Sequence, residues 1–119
     1  MLMEEKSYGE QPPIDGYGPG GFRVTGVWRK GGIVIAPSGL YDIDNGLEAA
    51  LARLLETDPG LDTVLVGQGA DIAPLGASFR APLESAGIGV EYMATPPACR
   101  TYNVLLGEER RVAALLLPL

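Results

Sequence analysis

The sequence predicts a three-layer α/β domain with a mixed central sheet, helices on both faces and an attached β-hairpin. Two observations carry this prediction. Apolar segments of strand length alternate with helical patterns over residues 33–93, which is the order of βαβ units and indicates largely parallel strands. The last segment, Arg111–Leu117, ends in five consecutive apolar residues. Such a strand is expected in the middle of a sheet that is covered on both faces.

The composition fits one globular domain and excludes several classes of function. The chain has 119 residues, of which 46% are hydrophobic and 20% are charged, as in an ordinary globular protein. A net charge of −6 argues against nucleic acid as a partner, because binding the phosphate backbone needs a concentrated basic surface. Histidine is absent and Cys99 is the single cysteine, so we expect no metal, no cofactor and no intramolecular disulfide.

The N-terminal residues differ in character from the rest of the chain. Residues 1–13 are polar and end in Pro12-Pro13, which predicts a flexible tail before a single α/β domain at residues 14–119. The tail lacks the apolar core of a secretory signal. The apolar run Val112–Leu119 is too short to span a bilayer. The sequence therefore predicts a cytoplasmic protein without a transmembrane segment.

A glycine-rich segment opens the predicted domain. Ile14–Gly21 contains four glycines and a proline, which predicts a loop that either forms a turn or approaches a ligand closely. Phe22–Arg29 then predicts a half-buried strand with a bulge at Gly26. A tight turn leads into a buried strand at Ile33–Ala36, so these two strands are predicted to form the hairpin. An exposed edge of this hairpin leaves homo-oligomer formation open.

Apolar spacing and residues typical of helix ends predict the first two helices. The first carries its apolar stripe over Leu47–Leu55, with Asn45 as N-cap and Glu48 as the capping-box partner. The second has its apolar spacing over Leu75–Ala86, and if Ser78 is its N-cap, Pro82 lies in the first turn and costs only one hydrogen bond.

The third predicted helix follows a short strand at Ile88–Met93. Thr95 is expected as its N-cap and Pro96 at its first helical position. The helix should run to about Leu106, with Gly107 as the terminator.

Two loops leave the carboxyl ends of predicted parallel strands, where ligands bind in open α/β sheets. One follows the strand Thr63–Val66, and the other follows Met93. If these strands are neighbours, the loops flank one crevice. The candidate binding residues are Gly67, Gln68, Gly69, Thr95, Cys99, Arg100, Thr101, Tyr102 and Asn103.

The chemistry of these residues leaves alternatives open. Gly67-Gln68-Gly69 is a truncated dinucleotide-binding motif, with Ile72 where a third glycine belongs, so a tight turn is the better interpretation. A helix start beside Arg100 favours a Cys99 thiolate. A lone cysteine without a base is also typical of a small buried hydrophobe. Arg100 and Asn103 share a helix face that either binds an anion or a partner, or is simply solvated.

Two segments resemble a known family. They are Ile14–Val24, read IDGYGPGGFRV, and Ala98–Asn103, read ACRTYN. The family is the small domain of unknown function that is found in bacterial and archaeal proteins, in mitochondrial complex I assembly factor 3 and in an adipogenesis-associated relative with an Mth-type domain. The resemblance covers about residues 14–117, and Pro96-Pro97 departs from its pattern.

The resemblance implies a three-layer α/β fold with a mixed sheet, an assembly role through protein contacts, and no agreed catalytic residues. The positions that match the family pattern are Gly67, Gly69, Cys99, Arg100, Thr101, Tyr102 and Asn103. We therefore expect an uncharacterised protein-binding or assembly-type module whose partner is another protein. The alternative is a small-molecule-binding or thiol-based enzyme that uses the crevice between the Gly67–Gly69 turn and the Thr95–Asn103 helix start.

Overall fold

The computed structural model describes residues 11–119. Eight strands and three helices lie within them, in the following chain order. They are β1 (Ile14–Gly18), β2 (Gly21–Val24), β3 (Val27–Lys30), β4 (Ile33–Ala36), β5 (Gly39–Asp42), α1 (Gly46–Thr57), β6 (Thr63–Gln68), α2 (Ala77–Ser85), β7 (Gly89–Met93), α3 (Thr95–Gly107) and β8 (Val112–Leu117).

The central sheet has five strands in the order β5-β4-β8-β6-β7. Strand β6 runs parallel to both of its neighbours, β7 and β8. Strand β4 runs antiparallel to β5 and to β8. The predicted mixed sheet is therefore confirmed. The prediction that the strand at Ile33–Ala36 runs parallel to its neighbours was wrong. Only Pro37 and Ser38 separate β4 from β5, and two residues close a hairpin but cannot make a parallel crossover.

The predicted central strand is confirmed by the position and burial of β8. It is the third of the five strands, and the residues from Val112 to Leu116 have no exposed surface. Alternate side chains of a strand point to opposite faces. Ala113 and Leu115 accordingly belong to the core on one face, and Ala114 and Leu116 to the core on the other.

Helices α1 and α2 cover one face of this sheet. Leu51 and Leu54 of α1 and Phe79 and Leu83 of α2 are buried there. They pack with Val64 of β6 and with the residues of the neighbouring strands whose side chains point to the same face of the sheet. The apolar stripe that the sequence predicted for α1 is therefore the stripe that is buried.

Helix α3 and a second sheet cover the opposite face. The second sheet is antiparallel, in the order β1-β2-β3. Its Phe22 and Val24 share a core cluster with Cys99 and Tyr102 of α3 and with Leu65 of β6. Helices thus lie on both faces of the central sheet, and the three-layer class that the sequence predicted is confirmed.

The structure corrects the predicted hairpin. The glycine-rich segment does not form a loop throughout, because residues 14–18 form strand β1. The segment predicted as one strand is two strands, β2 and β3, joined by a turn at Thr25-Gly26, where both φ angles are positive (49° and 78°). Two such residues match the right-handed twist of a tight hairpin. The register shift lies in β1, between Ile14 and Gly16, and not at Gly26.

Two helix starts also differ from the prediction. Helix α2 begins at Ala77 with Gly76 as N-cap, so Pro82 lies inside the helix and not in its first turn. Helix α1 has the expected N-cap Asn45, but the side chain makes no capping hydrogen bond. Helix α3 has Ala94 as N-cap. Its first residue, Thr95, uses its hydroxyl elsewhere.

The predicted tail reaches into the described residues at its end. Residues 1–10 lie outside them. Gln11 Nε2 donates to Val112 O at 2.7 Å, and Pro12 O accepts from the Tyr102 hydroxyl at 2.7 Å. Hydrogen bonding to the domain therefore extends to Gln11, and the rest of the predicted tail stays a prediction.

Candidate functional site

The glycine-rich strand β1 and helix α3 meet through one amide side chain. Asn103 Oδ1 accepts from Ile14 N at 2.8 Å, and Asn103 Nδ2 donates to Ile14 O at 2.9 Å. The amide thus bonds both backbone groups of one residue, as a neighbouring strand would. This pairing joins segments 89 residues apart. The two segments that carry the family resemblance are therefore adjacent in space.

Tyr102 strengthens the same junction from inside the core. Its ring has no exposed surface, and its hydroxyl donates to Pro12 O. Burial raises the pKa of this phenol, because the low-polarity surroundings disfavour the phenolate. Tyr102 therefore acts as a neutral donor that fixes the chain entering β1.

Thr95 joins the other candidate segment to α3. Its Oγ1 accepts from Gly69 N at 2.8 Å and donates to Leu117 O at 2.6 Å. Thr95 N donates to Gly69 O at 2.9 Å. A completely buried hydroxyl thus satisfies backbone groups at the ends of β6 and β8, which are otherwise costly to bury.

The predicted crevice is closed where these segments meet. A Cβ at Gly67 would lie 2.8 Å from Leu116 Cδ2, 3.0 Å from Thr95 Oγ1 and 3.1 Å from Ala98 Cβ. Such distances leave no room between the β6 end and α3. The two loops do lie side by side, but they pack directly on one another. Gln68 is also engaged locally, since its Oε1 accepts from Ala73 N at 3.0 Å.

An open groove lies instead on the other side of α3, against β1. It has a volume of about 220 Å³. Its lining consists of Ile14, Asp15, Gly16, Tyr17, Pro96, Cys99, Arg100 and Asn103. Of the nine candidate residues, Cys99, Arg100 and Asn103 line it. The other six do not: Gly67, Gln68, Gly69, Thr95, Thr101 and Tyr102. We call this space the β1–α3 groove.

Cys99 does not have the character of an activated thiol. Only 3% of its surface is exposed. Burial raises its pKa from 9.0 to about 11, because the opposing effect of a backbone hydrogen bond is smaller. The position in α3 explains this result, because Cys99 is the fifth helical residue, beyond the first turn where the helix dipole acts. Desolvation therefore outweighs the dipole, and the thiol is protonated at neutral pH.

The exposed side chains around the groove are of a different kind. Tyr17 is 42% exposed at its β1 wall, and Val104, one turn after Arg100, is 53% exposed. Arg100 is also exposed. Thr101 is half-buried and its hydroxyl contacts Met93 Sδ at 3.8 Å. An aromatic ring and a guanidinium on a rigid scaffold are typical of residues that bind proteins.

Sequence reasoning missed Asp15, Gly16 and Tyr17 as site residues. The IDGYG stretch was identified as part of a motif, but its glycines pointed to a loop. The alternation of burial along β1, with Ile14 inside and Tyr17 partly outside, depends on pairing with β2 and with Asn103. Local sequence carries no sign of that pairing.

Neither a membrane-spanning helix nor a metal-binding cluster occurs among the described residues. No helix among residues 11–119 is long and apolar enough to cross a membrane. Within the same residues no group of three or more acidic or cysteine side chains is arranged to hold a metal ion.

The architecture is that of the Mth938-like domains. The solution structure of such a domain from Bordetella pertussis has a TM-score of 0.78, with 28% identity, and the match covers 99% of this chain and 92% of that one. The crystal structure described as an outer membrane protein from Bartonella henselae has a TM-score of 0.86, with 38% identity, covering 91% of this chain and 95% of that one.

The family model described as a protein of unknown function (DUF498/DUF598) matches residues 14–117, and the chain belongs to that family. An uncharacterised protein from Rhodobacter capsulatus is 41% identical over 119 residues, covering 100% of this chain and 94% of that protein. The zebrafish protein named NADH dehydrogenase [ubiquinone] 1 alpha subcomplex assembly factor 3 is 31% identical, covering 99% of this chain and 70% of that protein. The chain is therefore related to complex I assembly factor 3.

Proposed function

We propose that this chain is a protein-binding module of the assembly type, and that a partner protein docks on the β1–α3 groove. The observation that carries the proposal is that some polar side chains of α3 bond within the protein while others are exposed. Asn103 and Tyr102 are used up in internal hydrogen bonds, whereas Arg100 points to solvent beside Tyr17. Buried polar groups fix the surface, and exposed groups remain for a partner.

The size of the groove also supports protein binding over small-molecule binding. Pockets for small ligands usually enclose about 300–1,000 Å³. The β1–α3 groove encloses about 220 Å³, which suits one anchoring side chain of a partner. An assembly-factor name among the relatives agrees with this role. We also propose a cytoplasmic location, which is supported by the single cysteine, since one cysteine cannot form an intramolecular disulfide.

Two features disfavour the alternative of a thiol-based enzyme. Its crevice is filled at Gly67, and Cys99 is buried with a raised pKa. The chain also has no histidine to serve as the base of such a thiol. A cysteine nucleophile needs either a lowered pKa or an adjacent base.

Site-directed photo-crosslinking tests the proposal. A benzophenone amino acid replaces Tyr17 at the groove or, as the control, Ile72, which is 57% exposed in the loop before α2. The Tyr17 probe should give a discrete adduct in an extract of the source cells. Adding Arg100→Glu to the Tyr17 probe should remove that adduct. Equal adducts from both probes, or adducts that ignore Arg100→Glu, would contradict the proposal.

A folding control separates binding from stability. Arg100 is exposed, so Arg100→Glu should change the free energy of unfolding by less than about 0.5 kcal/mol. Asn103→Ala should cost about 2 kcal/mol, because both backbone groups of Ile14 lose their partner. If Arg100→Glu unfolded the protein as Asn103→Ala does, Arg100 would be a structural residue and the groove would lose its main anchor.

A further inference from the structure

The outer face of the β1-β2-β3 sheet, turned away from α3, has an unusual composition. Antiparallel partners share a face, so the buried Phe22 and Val24 mark the inner face. The registers place the remaining positions on the outer face. These positions are Gly16, Gly18, Gly21, Arg23, Trp28 and Lys30, which we call the tryptophan face.

Trp28 lies flat on this face and remains 45% exposed. A Cβ at Gly21 would lie 2.8 Å from Trp28 Cζ2, and a Cβ at Gly18 would lie 3.5 Å from Trp28 Cη2. The glycines therefore form the floor on which the indole rests. The ring is held in place and still offers one π-face outward, the arrangement of a preformed aromatic anchor.

The charge on the tryptophan face is opposite to that of the molecule. Arg23 and Lys30 are exposed and flank the indole, since Arg23 pairs with Trp28 and Lys30 lies two residues further along β3. None of the six paired positions that form this face is acidic, although the whole chain carries −6. Within residues 11–119, neither cation has a carboxylate within 4.0 Å.

Strand β3 is also an edge strand. In the described part of the chain it pairs with β2 alone. Backbone groups on the free side of an edge strand are ready to pair with an additional strand. Trp28 and Lys30 lie on this edge strand itself, and Arg23 lies on the neighbouring strand β2.

We propose that the tryptophan face binds an acidic, extended segment of a partner protein, which adds as a fourth strand along β3. Carboxylates of the segment pair with Arg23 and Lys30, and an apolar side chain between them covers the Trp28 ring. Apart from Gly16, which also lines the β1–α3 groove, the tryptophan face shares no residue with that groove.

Trp28 is the single tryptophan of the chain, so its fluorescence reports on this face alone. The probe is a short, end-blocked peptide of alternating glutamate and valine, titrated at low ionic strength. We expect a saturable change in Trp28 emission that weakens with added salt. The corresponding lysine–valine peptide should give none. Equal binding of both peptides would overturn the proposal.

Matched variants define the surface. Arg23→Glu with Lys30→Glu should weaken the glutamate peptide about tenfold or more. Arg80→Glu with Arg110→Glu gives the same net charge on other parts of the molecule and should leave binding within about twofold. A similar loss in both double variants would mean that net charge and not the tryptophan face controls binding, which would contradict the proposal.

Two further measurements test strand addition and the class of partner. A glutamate–valine peptide methylated on alternate backbone nitrogens cannot complete a strand ladder and should bind about tenfold more weakly. Undiminished binding would refute strand addition. Vesicles of phosphatidylcholine with phosphatidylglycerol provide the lipid alternative, and a Trp28 blue shift with vesicles but none with the peptide would replace the proposal by membrane binding. Arg100→Glu should leave peptide binding unchanged, so failure here is distinguishable from failure at the groove.

Discussion

The two faces of the central sheet are held together by different physical means. On one face, α1 and α2 are attached through apolar side chains such as Leu51, Leu54 and Leu83. On the other, α3 has a buried apolar side but is also joined by side-chain hydrogen bonds from Thr95, Tyr102 and Asn103. We call these the apolar face and the hydrogen-bonded face.

The difference shows why the candidate site lies where it does. Apolar packing is non-directional and tolerates small displacements, whereas hydrogen bonds fix distance and angle. The bonds of α3 join segments separated by 22 to 90 residues, so they set β1 and α3 in one defined relation. A groove between elements fixed in this way presents the same surface to each partner, which lowers the entropic cost of binding.

The largest effect is expected from the apolar face. Leu54 is completely buried in the cluster beneath α1. Leu54→Ala should lower the free energy of unfolding by about 2–5 kcal/mol, because a cavity replaces lost apolar contacts. Denaturant unfolding monitored by circular dichroism measures this. Binding at the β1–α3 groove should persist under folding conditions. A selective loss of groove binding in the folded variant would show that the two faces are not independent.

The next effect falls on the hydrogen-bonded face. Thr95→Val conserves shape but leaves Gly69 N and Leu117 O without their partner, which should cost about 2–3 kcal/mol. Thr101→Val is the control, since its hydroxyl makes a weak contact with Met93 Sδ at 3.8 Å and should cost less than about 1 kcal/mol. Equal costs for both threonines would show that the Thr95 bonds do not matter for stability.

A smaller effect depends on pH. Burial raises the pKa of Cys99 from 9.0 to about 11. Below pH 9 both states keep the proton and the stability is unaffected. Between pH 9 and 11 the unfolded chain releases the proton before the folded chain does, so the free energy of unfolding falls as pH rises, by about 1 kcal/mol per pH unit. Cys99→Ala should remove this decline.

The comparison with Cys99→Ala isolates the thiol. Tyr41 and Tyr102 also have raised pKa values because of burial, but both proteins retain them. If the curves of stability against pH ran parallel for the wild-type protein and Cys99→Ala, they would contradict the assignment of the decline to Cys99. Iodoacetamide should also modify the folded chain more slowly than the unfolded chain, since Cys99 is only 3% exposed. Faster modification of the folded protein would contradict this expectation and favour the hypothesis of an activated thiol.

The smallest effect concerns one hydroxyl on the hydrogen-bonded face. Tyr102→Phe loses the bond to Pro12 O and should cost about 1 kcal/mol. Tyr41→Phe is a matched control, because Tyr41 Oη has no hydrogen-bond partner among residues 11–119. It should cost close to nothing. Amide exchange near Gln11 should increase only in Tyr102→Phe. A similar increase in both variants would show that Pro12 is not held by Tyr102.

The apolar face is also the part of the fold that the sequence predicted best. The stripe of α1, the buried segment after it and the central position of β8 all follow from the spacing and length of apolar runs, which depend on local geometry. The hydrogen-bonded face was predicted less well. Thr95 was expected as a helix cap, because a threonine before prolines is typical of one. Its hydroxyl instead bonds Gly69 and Leu117, 26 and 22 residues away.

The sequence by itself determined the class of fold, the absence of histidine chemistry and the family, because these depend on composition, periodicity and motif. Only the tertiary structure decided that β4 is antiparallel, that the Gly67 crevice is filled, and that Tyr17 and Arg100 share a groove. Each of these depends on which distant segments pair. Such pairing is set by the sum of contacts over the whole core, and no local pattern of residues contains it.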